Sequence, residues 1–76
     1  MPLIEVTMVH GRTPEEIRSL IHEVTRAVVE ALDVPQHSVR VAVRELPKTH
    51  WAAGDVTIAE REAATEAATT TGGAAH

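Results

Sequence analysis

Residues 3–32, LIEVTMVHGRTPEEIRSLIHEVTRAVVEAL, contain the change of hydrophobic period that decides the fold. At the start of this stretch apolar residues alternate with others and place Ile4, Val6 and Met8 on one face, which predicts a half-buried β-strand. From Ile17 onward apolar residues recur every three or four positions, which predicts an amphipathic helix with one buried face. The stretch therefore predicts a strand followed directly by a helix.

The start of the helix has a strong local signal. Thr13 can cap it, Pro14 suits the first helical position, and Glu16 lies three residues beyond the cap, which completes a capping box. At the other end, the residue before Pro35 is pushed out of the α region, so the helix must stop before it.

A second strand follows in SVRVAVREL, residues 38–46. Val39, Val41 and Val43 share one face, whereas Arg40 and Arg44 lie on the other. A helix that crosses between two strands makes them parallel, with a right-handed connection. The predicted fold class is therefore α/β (α+β), a β-α-β unit whose sheet has one face under the helix and one face open.

The C-terminal third has weaker signals. PKTHWAAGD is predicted to be a loop, and VTIAERE is compatible with a short hairpin arm or with a helical turn. From Glu62 the chain is a low-complexity run of alanine and threonine, which we predict to be disordered. The sequence thus divides into a domain over residues 1–61 and a tail over residues 62–76.

Size and composition favour assembly. A single core in a chain of 76 residues rarely supplies more than about 3–5 kcal/mol without disulfides, a metal or oligomerisation. The sequence has no cysteine, and two strands with one helix are marginal alone. We therefore expect a homo-oligomer in which other copies cover the open sheet face.

Several classes of partner are disfavoured. The net charge of −4 and the single aromatic residue argue against nucleic acid, which favours basic patches and stacking rings. No apolar run is long enough for a membrane span, and no signal-peptide pattern is present, so we expect a soluble protein with the cytoplasm as its default location. The five histidines lack metal-ligand spacing, and no metal is predicted.

Four short motifs together carry a family resemblance. Pro2 in MPLIEV, Gly11-Arg12 in HGRTPEE, Arg40 in SVRVAV and Trp51 in HWAAGD resemble the 4-oxalocrotonate tautomerase family, over residues 2 to about 61. The resemblance implies a short β-α-β chain that assembles as a hexamer, a trimer of dimers. It also implies a cofactor-independent tautomerase that ketonises a small anionic enol of a 2-oxo acid or dicarboxylate, similar to 2-hydroxymuconate.

The resemblance also implies roles for these residues. Pro2, once Met1 is removed, would be the general acid-base through its secondary amine, and Arg12 and Arg40 would bind substrate and act in catalysis. Trp51 would stand where the family places an aromatic substrate-binding residue. An amine that is partly desolvated beside guanidinium groups has a lowered pKa, so it can act as a base near neutral pH. Arginine can clamp a carboxylate and stabilise a developing oxyanion. Arg12, Arg40 and Trp51 could come from neighbouring copies, in which case the site would exist only in the assembly.

The chain departs from the family pattern in one loop. The family often has aromatic-Gly-x-Gly-Gly, but this chain has Trp51-Ala52-Ala53-Gly54-Asp55 and keeps only the glycine at Gly54. Alanine disfavours the positive φ angles that glycine allows, so we expect the loop that carries Trp51 to differ in shape. Relatives that dehalogenate 3-chloroacrylates carry a glutamate and an extra arginine where this chain has Ala53 and Val9, so hydrolytic dehalogenation is disfavoured. Two alternatives to the tautomerase hypothesis stay open: iminium chemistry of the proline amine with carbonyl compounds, and a non-catalytic oligomeric subunit.

Overall fold

The computed structural model describes the backbone of residues 1–72 and the side chains of residues 1–66. The described residues fall into two compact units, the first over Met1–Glu45 and the second beginning at Leu46. The elements of the first unit are β1 (Leu3–Val9), α1 (Pro14–Leu32), a 3-10 turn (Gln36–Ser38) and β2 (Arg40–Leu46). Those of the second are a 3-10 turn (Lys48–His50), the short strands β3 (Ala52–Ala53) and β4 (Val56–Thr57), and α2 (Ile58–Gly72).

Strand β1 has the predicted alternation. Ile4, Val6 and Met8 are half-buried, while Leu3 and the polar residues between them are exposed. The same alternation appears in β2, where Val41 and Val43 are half-buried. Successive side chains point to opposite faces of a strand, so each strand turns one apolar face inward and leaves its other face uncovered.

Helix α1 begins at the predicted capping box. The Thr13 hydroxyl accepts a hydrogen bond from the Glu16 N–H at 3.1 Å, and the Thr13 N–H donates to the Glu16 carboxylate at 3.0 Å. The helix ends at Asp33, which has a left-handed φ of 55° and donates its N–H to the Val29 carbonyl. Pro35 follows two residues later, as expected for a chain that cannot continue the helix.

The apolar face of α1 is only half-buried in the single chain. Of the residues predicted to face inward, five are half-buried in the single chain: Ile17, Leu20, Ile21, Val24 and Val28. At the C-terminal end of the same face the helix lies open, and the Leu32 side chain is 58% exposed.

Strands β1 and β2 pair side by side in a two-stranded sheet. At their beginnings, the Arg40 N–H donates to the Pro2 carbonyl at 2.9 Å. At their ends, His10 Nδ1 lies 3.7 Å from Glu45 Oε2. Because beginning meets beginning and end meets end, the strands run parallel and α1 is the crossover between them, which confirms the predicted β-α-β unit.

The second unit contains the C-terminal hairpin. Ala52 pairs with Thr57 and Ala53 with Val56 in an antiparallel ladder. The two residues between these strands, Gly54 and Asp55, have φ angles of 60° and 66°. Positive φ at both central positions is the geometry of a type I′ turn, which matches the twist of a tight hairpin. The positive φ angles thus fall on Gly54 and Asp55, and the two alanines lie in β3.

Helix α2 occupies much of the segment that the sequence predicted to be disordered. It begins at a second capping box, in which the Thr57 hydroxyl accepts from the Glu60 N–H at 3.0 Å and the Thr57 N–H donates to the Glu60 carboxylate at 2.9 Å. Four of the residues from 62 to 72 are alanine, which has the highest intrinsic helix propensity. The structure therefore differs from the predicted tail over residues 62–72, while residues 73–76 lie outside the described part. Over the part of the chain that the structure describes, no helix is long and apolar enough to cross a membrane.

The single chain has no sealed core. Among residues 1–66 no side chain is fully buried, and Leu3 is 60% exposed on the uncovered side of β1. Removing such apolar surface from water contributes roughly 25 cal/mol per Å², so association with other copies is the available route to burial.

We expect the protein to sediment as an oligomer at micromolar concentration. The physical reason is the half-buried apolar layer between α1 and the sheet, together with the exposed opposite face of the sheet. Sedimentation velocity with circular dichroism on the same sample tests this expectation. A species of monomer mass with full helical signal would contradict it.

Candidate active site

Pro2 is held at the head of the sheet. It is half-buried and precedes β1 directly. Its carbonyl accepts the Arg40 N–H at 2.9 Å, which joins the beginnings of the two parallel strands. This hydrogen bond to the first residue of β2 gives the backbone of Pro2 a defined place, although Pro2 precedes β1.

Arg40 is the first residue of β2 and is exposed. It precedes Val41 and so belongs to the face of the strand that is left uncovered. Its guanidinium donates to the His37 carbonyl at 2.9 Å, within a turn that the Ser38 hydroxyl also closes by donating to the Pro35 carbonyl at 2.7 Å. Arginine carries five N–H donors, so this anchoring bond leaves most of the guanidinium fork available for an anion.

Arg12 lies at the opposite end of β1 from Pro2. The strand has seven residues, so at about 3.3 Å per residue its two ends are about 20 Å apart. The Arg12 guanidinium lies 3.7 Å from the Glu16 carboxylate. One chain therefore brings the backbones of Pro2 and Arg40 together but does not bring Arg12 to Pro2.

Arg12 borders an open groove of about 530 Å³. The groove combines three basic side chains with an apolar floor and one carboxylate; its lining is His10, Arg12, Pro14, Ile17, Arg18, Ile21 and Glu45. His10 is paired with Glu45 here, so the histidine beside the Gly11-Arg12 motif has a partner within its own chain.

Trp51 belongs to the second unit. It follows the 3-10 turn Lys48–His50, and its carbonyl accepts the Ile58 N–H at 2.9 Å. Trp51 is half-buried, whereas the residues on either side of it, 47–50 and 52–56, are exposed. An aromatic ring in such a segment supplies a large apolar surface with a polar N–H.

The pKa values that clearly depart from their usual values belong to Glu23 and Arg26, on the solvent face of α1. The pKa of Glu23 is held below its usual value, first by the hydrogen bond from Arg26 at 3.0 Å and then by the charge of that arginine. Because the folded pKa is lowered, this pair stabilises the fold above the unfolded carboxyl pKa, and the stabilisation is lost as the pH falls. Both residues are on the exposed helix surface, where surface ion pairs contribute little.

Two features of the second unit were missed from the sequence. The capping box of α2 has the same Thr-x-x-Glu spacing as that of α1, in Thr57-Ile58-Ala59-Glu60, and this spacing could have predicted the helix. The contact of Lys48 with Glu62, 2.8 Å between Nζ and Oε1, joins residues far apart in sequence and has no local signal.

Comparison with known proteins identifies the class to which this fold belongs. A family model described as tautomerase enzyme matches residues 2–61. A probable tautomerase of Ralstonia nicotianae, RSp0893, is 46% identical over 56 residues, which cover 74% of this chain and 80% of that protein. The 2-hydroxymuconate tautomerase of Comamonas testosteroni is 38% identical over 60 residues, 79% of this chain and 95% of that protein.

Solved structures agree with these matches. TomN, a 4-oxalocrotonate tautomerase homologue in the tomaymycin biosynthetic pathway, superposes with a TM-score of 0.80 at 44% identity, covering 82% of this chain and 95% of TomN. A heterohexamer 4-oxalocrotonate tautomerase from Chloroflexus aurantiacus J-10-fl gives a TM-score of 0.76 at 38% identity, covering 79% of this chain and 97% of that one. The chain is thus a tautomerase, an isomerase by reaction class. It belongs to the 4-oxalocrotonate tautomerase family of the tautomerase superfamily.

Proposed function

We propose that this tautomerase ketonises small enols of 2-oxo acids or dicarboxylates, of the 2-hydroxymuconate type, with Pro2 as general acid-base. The reaction moves a proton from the enol oxygen to a carbon atom, through a transition state with negative charge on the former enol oxygen. It therefore needs a base that is unprotonated near neutral pH and cations that stabilise the developing charge. The name of the Comamonas testosteroni relative supports this substrate class.

The observation that carries the proposal is the fixed position of Pro2. Its carbonyl is bonded to the Arg40 N–H at the joined beginnings of two parallel strands. Removal of Met1 would leave a secondary amine in this defined place, at the edge of the sheet face that other copies are proposed to cover. Such an amine near guanidinium groups is a weaker base than an exposed one, because burial and positive charge both disfavour its protonated form. It can then accept the enol proton and return it to carbon.

The arginines supply the electrostatic part of the proposed mechanism. One guanidinium clamps a substrate carboxylate in bidentate fashion, and the other stabilises the oxyanion. Arg40 extends from the uncovered side of the sheet, and Arg12 is about 20 Å from Pro2 along β1, so both are suited to serve the proline of another copy. We therefore propose a site shared between copies of a homo-oligomer, most simply a hexamer. The six-chain assembly of the Chloroflexus aurantiacus homologue supports this number.

Trp51 completes the proposed site as an apolar wall against the carbon chain of the substrate. Its half-buried indole is suited to this role, since an aromatic surface binds the conjugated enol while excluding water. Of the two glycines that the chain lacks, one is replaced by Ala52, which lies in an ordinary strand. The other is replaced by Asp55, which has a φ of 66°, and aspartate is among the residues that tolerate this left-handed conformation.

Ketonisation of 2-hydroxymuconate and of phenylenolpyruvate, followed by ultraviolet absorbance, tests the proposal on protein whose N-terminus is shown by mass spectrometry to begin at Pro2. We expect Arg40→Ala to lower kcat/KM by at least about tenfold, because it removes a cation that acts on the developing oxyanion.

Arg44→Ala is the matched control, since Arg44 is exposed in the same strand and projects from the same face. Because this face is expected to meet other copies, the oligomeric state of each variant is matched by sedimentation. The rate of the assembled Arg44→Ala variant should then stay within about twofold of the wild type, since Arg44 has no role in the proposed site. If folded, oligomeric Arg40→Ala and the wild type ketonise at equal rates, Arg40 has a structural role only.

A further inference from the structure

Helix α2 is tied to the segment that carries Trp51 at two places. The N–H of Ile58, the first residue of α2, donates to the Trp51 carbonyl at 2.9 Å. One turn further along the helix, the Glu62 carboxylate accepts from Lys48 Nζ at 2.8 Å. Lys48 begins the 3-10 turn that ends directly before Trp51. The helix therefore holds both the backbone of Trp51 and the turn that leads into it.

The elements joined by these contacts are themselves well fixed. The turn before Trp51 is closed by the His50 N–H, which donates to the Pro47 carbonyl at 2.8 Å. The first turn of α2 is fixed by the reciprocal bonds of Thr57 and Glu60. A lysine and a carboxylate that bridge two rigid elements lose less conformational entropy than a pair on flexible segments. This pair is therefore a better constraint than an average surface ion pair.

Glu62 lies just outside the region that matches the family, which ends at residue 61. The contact thus joins a residue of the shared domain, Lys48, to a helix that runs beyond it. The family motif assigns no role to either residue.

We propose that the Lys48–Glu62 ion pair is a positioning contact that holds the Trp51 segment and so tightens substrate binding. The inference rests on the proposed function, in which the indole of Trp51 forms part of the substrate pocket. Without the pair, the turn before Trp51 keeps its internal hydrogen bond but can shift relative to α2, and the indole occupies its binding position for less of the time. Substrate then binds more weakly, whereas the proton transfer at Pro2 proceeds as before, so KM rises and kcat stays.

The chain offers a direct readout, because Trp51 is its one tryptophan and tyrosine is absent. We compare Glu62→Gln and Lys48→Met with the control Glu66→Gln, which removes the same charge one turn further along α2. Acrylamide quenching of Trp51 fluorescence should increase in the first two variants and not in the control. For the same two variants KM for 2-hydroxymuconate should rise about two- to fivefold, the range expected from an exposed ion pair, with kcat unchanged.

The charge-reversed double variant Lys48→Glu/Glu62→Lys should restore both quenching and KM. Quenching equal to that of Glu66→Gln, no recovery in the double variant, or increased quenching with unchanged KM would each overturn the inference. If the wild-type enzyme ketonises neither 2-hydroxymuconate nor phenylenolpyruvate, the proposed function is wrong, and the quenching comparison still decides whether the ion pair holds Trp51.

Discussion

Protein that retains Met1, or that carries any N-terminal extension, should ketonise 2-hydroxymuconate at least about 100-fold more slowly than protein that begins at Pro2, since a positioned general base contributes roughly 10²- to 10⁴-fold. Extension converts the secondary amine of Pro2 into an amide nitrogen, which has no basic lone pair. The fold should be unaffected, because Met1 is 86% exposed and precedes the first strand. Mass-verified processed and extended forms are compared in one absorbance assay, with oligomeric state matched by sedimentation.

The variant Pro2→Ala tests whether activity requires the pyrrolidine ring or only a free α-amine. This variant keeps a free α-amine after removal of Met1 but makes it primary, and it loses the restraint of the pyrrolidine ring on φ. We expect partial activity, above that of the extended form and below that of the wild type. Equal rates for the extended and processed forms would show that the proline is only the start of a strand.

The β-α-β unit was predictable because its signals are local and strong. In β1 the alternation of Ile4, Val6 and Met8 agrees with burial on one face. In α1 the capping box of Thr13 and Glu16 marks the first turn. Each signal depends on residues within a few positions of one another, so no long-range information was needed.

The C-terminal segment was harder because two physical tendencies compete in it. Its low-complexity run of alanine and threonine has no pattern suited to packing, and disorder was predicted from residue 62. Helix α2 forms there because Thr57 and Glu60 cap its first turn and because alanine costs little backbone and side-chain entropy in a helix. The prediction of disorder thus relied on composition and overlooked the capping signal of Thr57 and Glu60 in the sequence.

The candidate site was only partly accessible from the sequence. The family resemblance named Pro2, Arg12, Arg40 and Trp51, but the motifs say nothing about distances between them. The contact of Pro2 with Arg40 follows from strand register, and the separation of Pro2 from Arg12 follows from strand length. The first cannot be derived from motif order, since it depends on how the two parallel strands align. The second follows once Leu3–Val9 is known to be a strand.

That separation leads to the second large effect. If Pro2 and Arg12 of one site come from different copies, two variants that are each inactive should restore each other in mixed oligomers. The N-terminally extended form lacks the amine but keeps Arg12, and processed Arg12→Ala keeps the amine but lacks the guanidinium. In a mixed assembly, some sites receive the amine from the second variant and Arg12 from the first.

The two variants are unfolded together in equal amounts, refolded, and assayed for ketonisation of 2-hydroxymuconate. With random assembly, half of the prolines are functional and half of their partner arginines are intact, so activity should recover to about a quarter of that of wild type treated in the same way. The same variants mixed without unfolding provide the control, since their copies stay in separate oligomers. The activity of this mixture should equal the sum of the activities of the two variants. Recovery would mean that the Pro2 and the Arg12 of one chain belong to two different sites. Refolded mixtures that stay at the level of the control would place Pro2 and Arg12 in the same chain's site, which the length of β1 argues against.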